Sequence, residues 1–271
     1  MARYLDCHLH LQDERLSGRV DDVLKRAKGV GVCGFVCNGA SESDWEEVLR
    51  LANEHEDIFP CFGLHPWYVK DRSADWLDKL EQYLLKVPSG VGEIGLDRLL
   101  DDRDEALQEE VFLQQLALSR WLGRPVSIHS ARASGWLLEV LKREHQLPDK
   151  LHLHAFGGSA ELVREFVRLG AYFSFAGNAF QSGRRKLHDA IRAVPVERLL
   201  SETDCPDIPP PVQLRASELL DESGKPLSEP GNLPGMVKQT AQLRGEDGEA
   251  LAARLVENGE FFFNLQSYRQ A

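Results

Sequence analysis

Eight short β-rich runs recur along this chain, at residues 3–7, 32–37, 58–63, 90–94, 125–128, 151–153, 171–175 and 199–203, with helical patterns between them. Strands that alternate with helical crossovers pair in parallel, because each crossover returns the chain to the same end of the sheet. Eight such units predict a closed (β/α)8 TIM barrel, and the length of 271 residues suits a single domain over residues 1–271. Ser43 to Glu46 reads as a capping box opening a helix with Trp45, Val48, Leu49 and Ala52 on one side. Leu107, Val111, Leu118 and Leu122 mark a long helix, and Leu162, Val163, Phe166 and Val167 form another apolar stripe. One connection breaks the pattern. Residues 205–232 hold six prolines, which predicts a long irregular loop on the catalytic face, a lid or specificity loop. A helix around 249–257 and the apolar Phe261, Phe262 and Phe263 are expected to pack back on the barrel.

Composition narrows the setting. No stretch approaches about 18 uncharged apolar residues, so no membrane span is expected. The N-terminal MARYLDCHLH lacks the apolar core of a signal peptide. Five cysteines without a paired framework read as unpaired thiols of a reducing cytosol, so a cytoplasmic protein is expected. The formal net charge of −11 argues against a long DNA footprint, which needs a basic surface. It leaves open a small anionic substrate at a locally positive pocket.

In barrels of this type active sites gather at the C-terminal ends of the strands. His8 and His10 lie there on the first strand; their spacing puts both on one face. His65 follows the third strand, Glu93 ends the fourth, His129 and His154 follow the fifth and sixth, and Asp204 follows the eighth. A lone strand-end histidine is usually structural. The four imidazoles of His8, His10, His129 and His154 with two carboxylates, converging on one mouth, are hard to explain that way, because uncompensated buried carboxylates are costly.

His8, His10, Glu93, His129, His154 and Asp204 are too many ligands for one tetrahedral ion. They suit two divalent ions about 3.5–4 Å apart that activate water and stabilise the displaced oxygen. Glu93 is the expected bridge, since the fourth strand lies between the two ligand groups. His8, His10 and Asp204 complete one ion, and His129 and His154 the other. Such ions outweigh the two carboxylates, so the mouth attracts phosphate despite the acidic surface. Zinc suits the histidines, while mixed nitrogen and oxygen ligation also accepts manganese, nickel or magnesium. Asp204 is read as both ligand and general base. Trp67 and Tyr68 offer a surface for stacking bases. His55, His145 and His188 lie away from strand ends and read as surface residues.

The ordered motifs resemble the TatD family of metal-dependent hydrolases, within the amidohydrolase-like barrels. Asp6-x-His8-x-His10 looks like its first metal motif, and Gly63-Leu64-His65-Pro66 is similar to its Gly-x-His-Pro signature. Gly92-Glu93-Ile94-Gly95-Leu96-Asp97 matches its most specific motif. Ile128-His129, His154-Ala155-Phe156-Gly157-Gly158 and Glu202-Thr203-Asp204-Cys205-Pro206 look like its later motifs. The resemblance implies a divalent-metal hydrolase, commonly a deoxyribonuclease, and carries the metal roles to the six ligands above. It implies that His65 faces a substrate phosphate. The family often has Arg two residues after the fifth-strand histidine; here that place is Ala131, and Arg132 is the candidate substrate contact.

The expectation is a two-metal phosphodiesterase acting on DNA, in its narrower form a 3′-exonuclease on single-stranded ends, with Glu93 and Asp204 as catalytic residues. The competing substrate class is small phosphate esters, lactones or amides. A non-catalytic metal-binding protein would be expected to lose ligands, and none is missing. No obligate protein partner is expected.

Overall fold

The computed structural model describes residues 2–265. Seven parallel strands lie in chain order: β1 (Tyr4–Leu9), β2 (Val32–Asn38), β3 (Ile58–Phe62), β4 (Gly90–Asp97), β5 (Val126–Ala131), β6 (Leu151–Leu153) and β7 (Tyr172–Phe173). Helices α1 (Val20–Gly29), α2 (Trp45–Glu54), α3 (Trp76–Lys86), α4 (Glu105–Leu122), α5 (Ser134–Arg143) and α6 (Ala160–Arg168) make the crossovers between them. After β7 come α7 (Arg185–Ala193), α8 (Leu233–Arg244) and α9 (Gly248–Phe263). The curled parallel sheet with outer helices is that of the TIM barrels.

The expected eighth strand occupies its place without forming a regular ladder. Leu200 N–H donates to Phe173 O on β7 at 2.8 Å, and Cys7 N–H on β1 donates to Ser201 O at 2.8 Å. Further along, Asp204 N–H donates to His8 O at 3.0 Å and His10 N–H to Cys205 O at 2.7 Å. Side chains interrupt the ladder between these bonds. The Asp6 carboxylate takes Thr203 N–H at 3.0 Å and Thr203 Oγ1–H at 2.5 Å, while Ser201 Oγ–H donates to Leu5 O at 2.8 Å. The segment thus joins β7 to β1 and sets Asp204 beside the end of β1.

The capping box read at Ser43 does not form. Asp44 is the residue before α2, and its carboxylate accepts Ala40 N–H at 2.9 Å, closing a turn instead. Ser43 Oγ meets Ser41 Oγ at 2.8 Å and so is spent within the same turn. The terminal aromatics behave as expected in part: Phe262 and Phe263 are buried, while Phe261 is exposed. Their rings lie 5.9 and 6.3 Å from that of His152 and pack with Phe59, Tyr172 and Leu200.

Strand β4 carries a position that only glycine fits. Gly95 has φ +152°, and a Cβ there would stand 2.1 Å from His129 O on β5. Strands β4 and β5 can therefore approach beside Glu93 and His129 only without a side chain at this point. Gly95→Ala is expected to cost about 3 kcal/mol of stability, from strain and a backbone clash. Thermal unfolding checks it; an unchanged midpoint would contradict the close approach.

Candidate metal centre

Period-two alternation on the strands sorts side chains into layers inside the barrel. The upper layer holds the histidines expected from the sequence, and they surround Glu93. Glu93 Oε1 lies 2.6 Å from His154 Nε2, 2.9 Å from His129 Nδ1 and 3.4 Å from His65 Nε2. Its Oε2 lies 3.2 Å from His10 Nε2 and 3.4 Å from His8 Nε2. Asp204 Oδ1 stands 3.7 Å from His10 Nε2 and 3.8 Å from His8 Nε2. Among the described residues, three groups bring ligand atoms within 4.8 Å of one another: His8, His10 and Asp204; His65, Glu93 and His129; and His8, His154 and Glu202.

The second nitrogen of each histidine tells which one faces the centre. His10 Nδ1–H donates to Asn38 O at 2.7 Å, leaving Nε2 inward. His129 Nε2–H donates to Asp97 Oδ2 at 3.0 Å, leaving Nδ1 inward. His8 Nδ1 meets Ser127 Oγ at 2.8 Å, whereas His154 Nδ1 makes no hydrogen bond, the Glu202 carboxylate lying 3.8 Å away. Metal-ligating imidazoles are ordinarily held this way by a partner on the far nitrogen. His65 is the exception. Its Nδ1 accepts Trp67 N–H at 3.2 Å, so its inward Nε2 carries the proton. It is built to donate rather than to ligate.

Two observations fit divalent ions. Both ring nitrogens of His154 are buried without a hydrogen-bond partner. The Asp204 carboxylate, also buried, makes no hydrogen bond among the described residues. A mixed nitrogen and carboxylate set with unsatisfied inward atoms is the donor chemistry of a transition-metal or magnesium site.

Electrostatics follow from the crowding. Burial alone raises the Glu93 carboxyl, but His154, His65, His10 and His129 together hold it well below the usual carboxylate range. Burial works against charge on His10, yet Glu93, Asp204 and Asn38 O push it up to about 10. His129, equally buried, is pushed up to about 9 by Asp97 and Glu93. Burial and the stacked ring of His154, 3.7 Å away, press His8 well below its ordinary value. Burial brings His65 down to about 4 and raises Asp204.

Several contributors were not assigned roles from the sequence. Asp97, two turns of the period-two pattern beyond Glu93, receives both His129 and the Trp67 indole N–H, the latter at 2.7 Å. Gln108 and Gln115 of α4 are buried and pair with the backbone of Asp97 and Leu64, at 2.8 and 2.7 Å to the respective N–H groups. They satisfy strand-end groups that would otherwise be orphaned, and so fix the bases of Asp97 and His65. Arg132 stands just beyond β5 with φ +50°, exposed and without a hydrogen bond or ion pair among the described residues. Trp67, 53% exposed, presents its ring at the same end. The proline-rich segment is tied down by Arg15 on Asp207 at 2.9 Å and Arg26 on Glu229 at 2.8 Å. Among the described residues, no helix is long and apolar enough to cross a membrane.

A family model described as TatD related DNase matches residues 5–264. The chain belongs to the TatD family. It is 31% identical over 268 residues to YjjV of Escherichia coli, named an uncharacterized metal-dependent hydrolase, covering 98% of this chain and 99% of that one. It is 29% identical over 264 residues to the 3′-5′ ssDNA/RNA exonuclease TatD of Erwinia tasmaniensis, covering 96% and 99%. The crystal structure of Escherichia coli YjjV superposes with a TM-score of 0.88 over 97% of this chain and 98% of that one, at 31% identity. The Escherichia coli phosphotriesterase homology protein, at 16% identity and a TM-score of 0.66 over 97% and 99%, shares the fold. This TatD-family member is therefore a metal-dependent hydrolase.

Proposed function

We propose that this protein is a two-metal phosphodiesterase that trims single-stranded DNA from its 3′ end. The observation that carries the binuclear reading is the division of Glu93: Oε1 faces His129 and His154, and Oε2 faces His8 and His10. His8, His10 and Asp204 would hold one divalent ion and His129 and His154 the other, with Glu93 standing between the two groups of ligands. When bound, such ions act as Lewis acids on a phosphoryl oxygen and lower the pKa of water. The chain's own groups do the rest. Asp204 accepts the proton of the attacking water. His65 donates its Nε2–H to a phosphate oxygen, and the exposed Arg132 supplies a cation for it. The nuclease substrate rests on the exonuclease name of the Erwinia relative and on the exposed indole of Trp67 at the mouth.

The test is hydrolysis of 3′-labelled single-stranded DNA by protein stripped of metal and then given zinc, manganese, nickel or magnesium singly. Stepwise cleavage restored by an ion supports the reading. Metal uptake without DNA cleavage under any ion would overturn it and leave small phosphate esters, lactones and amides.

Trp67→Ala separates those substrates. Base–aromatic stacking is worth about 1–3 kcal/mol, so KM for the oligonucleotide is expected to rise roughly 5- to 150-fold. Turnover of a small phosphodiester should stay the same, and Trp67→Phe should keep most of the oligonucleotide affinity. Equal loss on both substrates would place Trp67 in the scaffold of Asp97 instead.

Metal uptake should release protons. His10 at about 10 and His129 at about 9 are protonated at neutral pH in the metal-free site, and ligation takes their inward lone pairs. Affinity is therefore expected to rise with pH up to about 10, less steeply above about 9, and titration heats to depend on the buffer's ionisation enthalpy. Buffer-independent heats and a flat pH dependence would contradict these assignments.

A further inference from the structure

Two residues below the ligands, on the same inward faces, lies a second layer that is also polar. It comprises Asp6, Ser127, His152 and Glu202, each two positions before His8, His129, His154 and Asp204, together with Ser174. All five side chains are buried. Polar groups so deep in a barrel are expensive unless they satisfy one another. Four of them form a continuous run ending at a metal-facing histidine. Glu202 Oε2 is 2.6 Å from Ser174 Oγ, Ser174 Oγ is 2.5 Å from His152 Nε2, His152 Nδ1 is 3.4 Å from Ser127 Oγ, and Ser127 Oγ is 2.8 Å from His8 Nδ1. The other Glu202 oxygen takes Ala155 N–H at 2.7 Å, and its Oε2 also lies 3.8 Å from His154 Nδ1.

Each hydroxyl in this run has one proton and each neutral imidazole has one N–H, so the run can be polarised in only two ways. With the Glu202 carboxylate accepting, every proton points toward it: Ser174 donates to Glu202, His152 to Ser174, Ser127 to His152, and His8 Nδ1–H to Ser127. His8 Nε2 is then a bare lone pair aimed at the centre. The opposite polarity would place a proton on His8 Nε2, where an ion cannot be ligated.

Resting on the metal-binding reading above, we propose that Glu202 anchors a buried relay through Ser174, His152 and Ser127 that sets the tautomer of His8, and that the same carboxylate orients His154 from beside it. Glu202 and the relay members are positioning residues. One buried carboxylate thereby prepares a ligand on each side of Glu93, which couples the affinities of the two halves of the centre. His152 is the link between the two hydroxyls, its Nδ1 accepting from Ser127 and its Nε2–H donating to Ser174.

The test uses Ser174→Ala and Ser127→Ala, which remove one hydroxyl each and keep the backbone and near-equal volume, plus the double variant. Metal affinity is read by competition with a chromophoric chelator, and the His8 tautomer by proton–nitrogen NMR of the metal-free protein with labelled histidine. Either single variant is expected to lose roughly 10- to 100-fold in affinity, the range for partners of ligating histidines. The double variant should lose no more than the worse single, because the relay acts as a unit. His8 should be protonated on Nδ1 in the parent protein and lose that preference in each variant. Should one single variant fail to fold, the other carries the same prediction. A parent protein that binds metal, with variants unchanged within twofold and His8 still protonated on Nδ1, overturns the relay alone. A parent protein that takes up no divalent ion overturns the metal reading and the relay with it.

Discussion

Glu93→Ala is expected to abolish metal retention and turnover together, with kcat/KM falling at least about 1,000-fold, or about 4 kcal/mol of transition-state stabilisation. Glu93 meets both groups of histidines: its oxygens lie within 3.4 Å of ring nitrogens of His8, His10, His65, His129 and His154. Removing the carboxylate leaves these buried imidazoles without a counter-charge and separates the two ligand groups. Glu93→Gln keeps the volume and removes only the charge, so it should show the same loss in a protein whose thermal unfolding remains cooperative. Elemental analysis after dialysis reads the metal, and the DNA assay reads turnover. Full activity in either variant would refute the bridging assignment.

Asp204→Asn is the second large effect. General-base catalysis is worth about 100- to 10,000-fold, and the loss is expected in kcat with little change in KM, since the proton moves only in the transition state. Asp204 is placed for this by backbone rather than by side-chain partners. Its N–H is held by His8 O at 3.0 Å and its φ is +55°, which turns the carboxylate toward the ligand nitrogens. Burial raises its pKa in the metal-free site, so it is poised as a proton acceptor only where cations face it. A variant that kept its kcat and lost only KM would reassign Asp204 from base to substrate contact.

The upper layer was readable because strand parity and strand-end position are properties of sequence. His8 and His10 share a face by spacing alone, and the same rule puts Glu93, His129 and His154 at one height. The lower layer obeys that rule too, yet Ser127, His152 and Glu202 sit inside short apolar runs where a polar residue carries no signal of its own. Their meaning comes from neighbours across the barrel: Ser127 meets His8, 119 residues away, and Ser174 meets Glu202, 28 residues away. Asp97 was quoted in a motif, but its hold on His129 depends on the pairing of β4 with β5. The glutamines of α4 were invisible for the reverse reason. Gln108 and Gln115 look like exposed helix residues until the helix turns them to strand ends. The eighth run was recognised by composition, and its irregularity came from Asp6, whose carboxylate takes the Thr203 N–H that a ladder would have used.

Manganese loading followed by electron paramagnetic resonance tests the central claim most directly, because it reads the number of ions and their separation at once. With the site saturated, two manganese ions per chain are expected, with the magnetically coupled signal of a pair bridged by Glu93 and loss of that coupling in Glu93→Gln. A single ion per chain at saturation, with the uncoupled signal of an isolated centre, would contradict it.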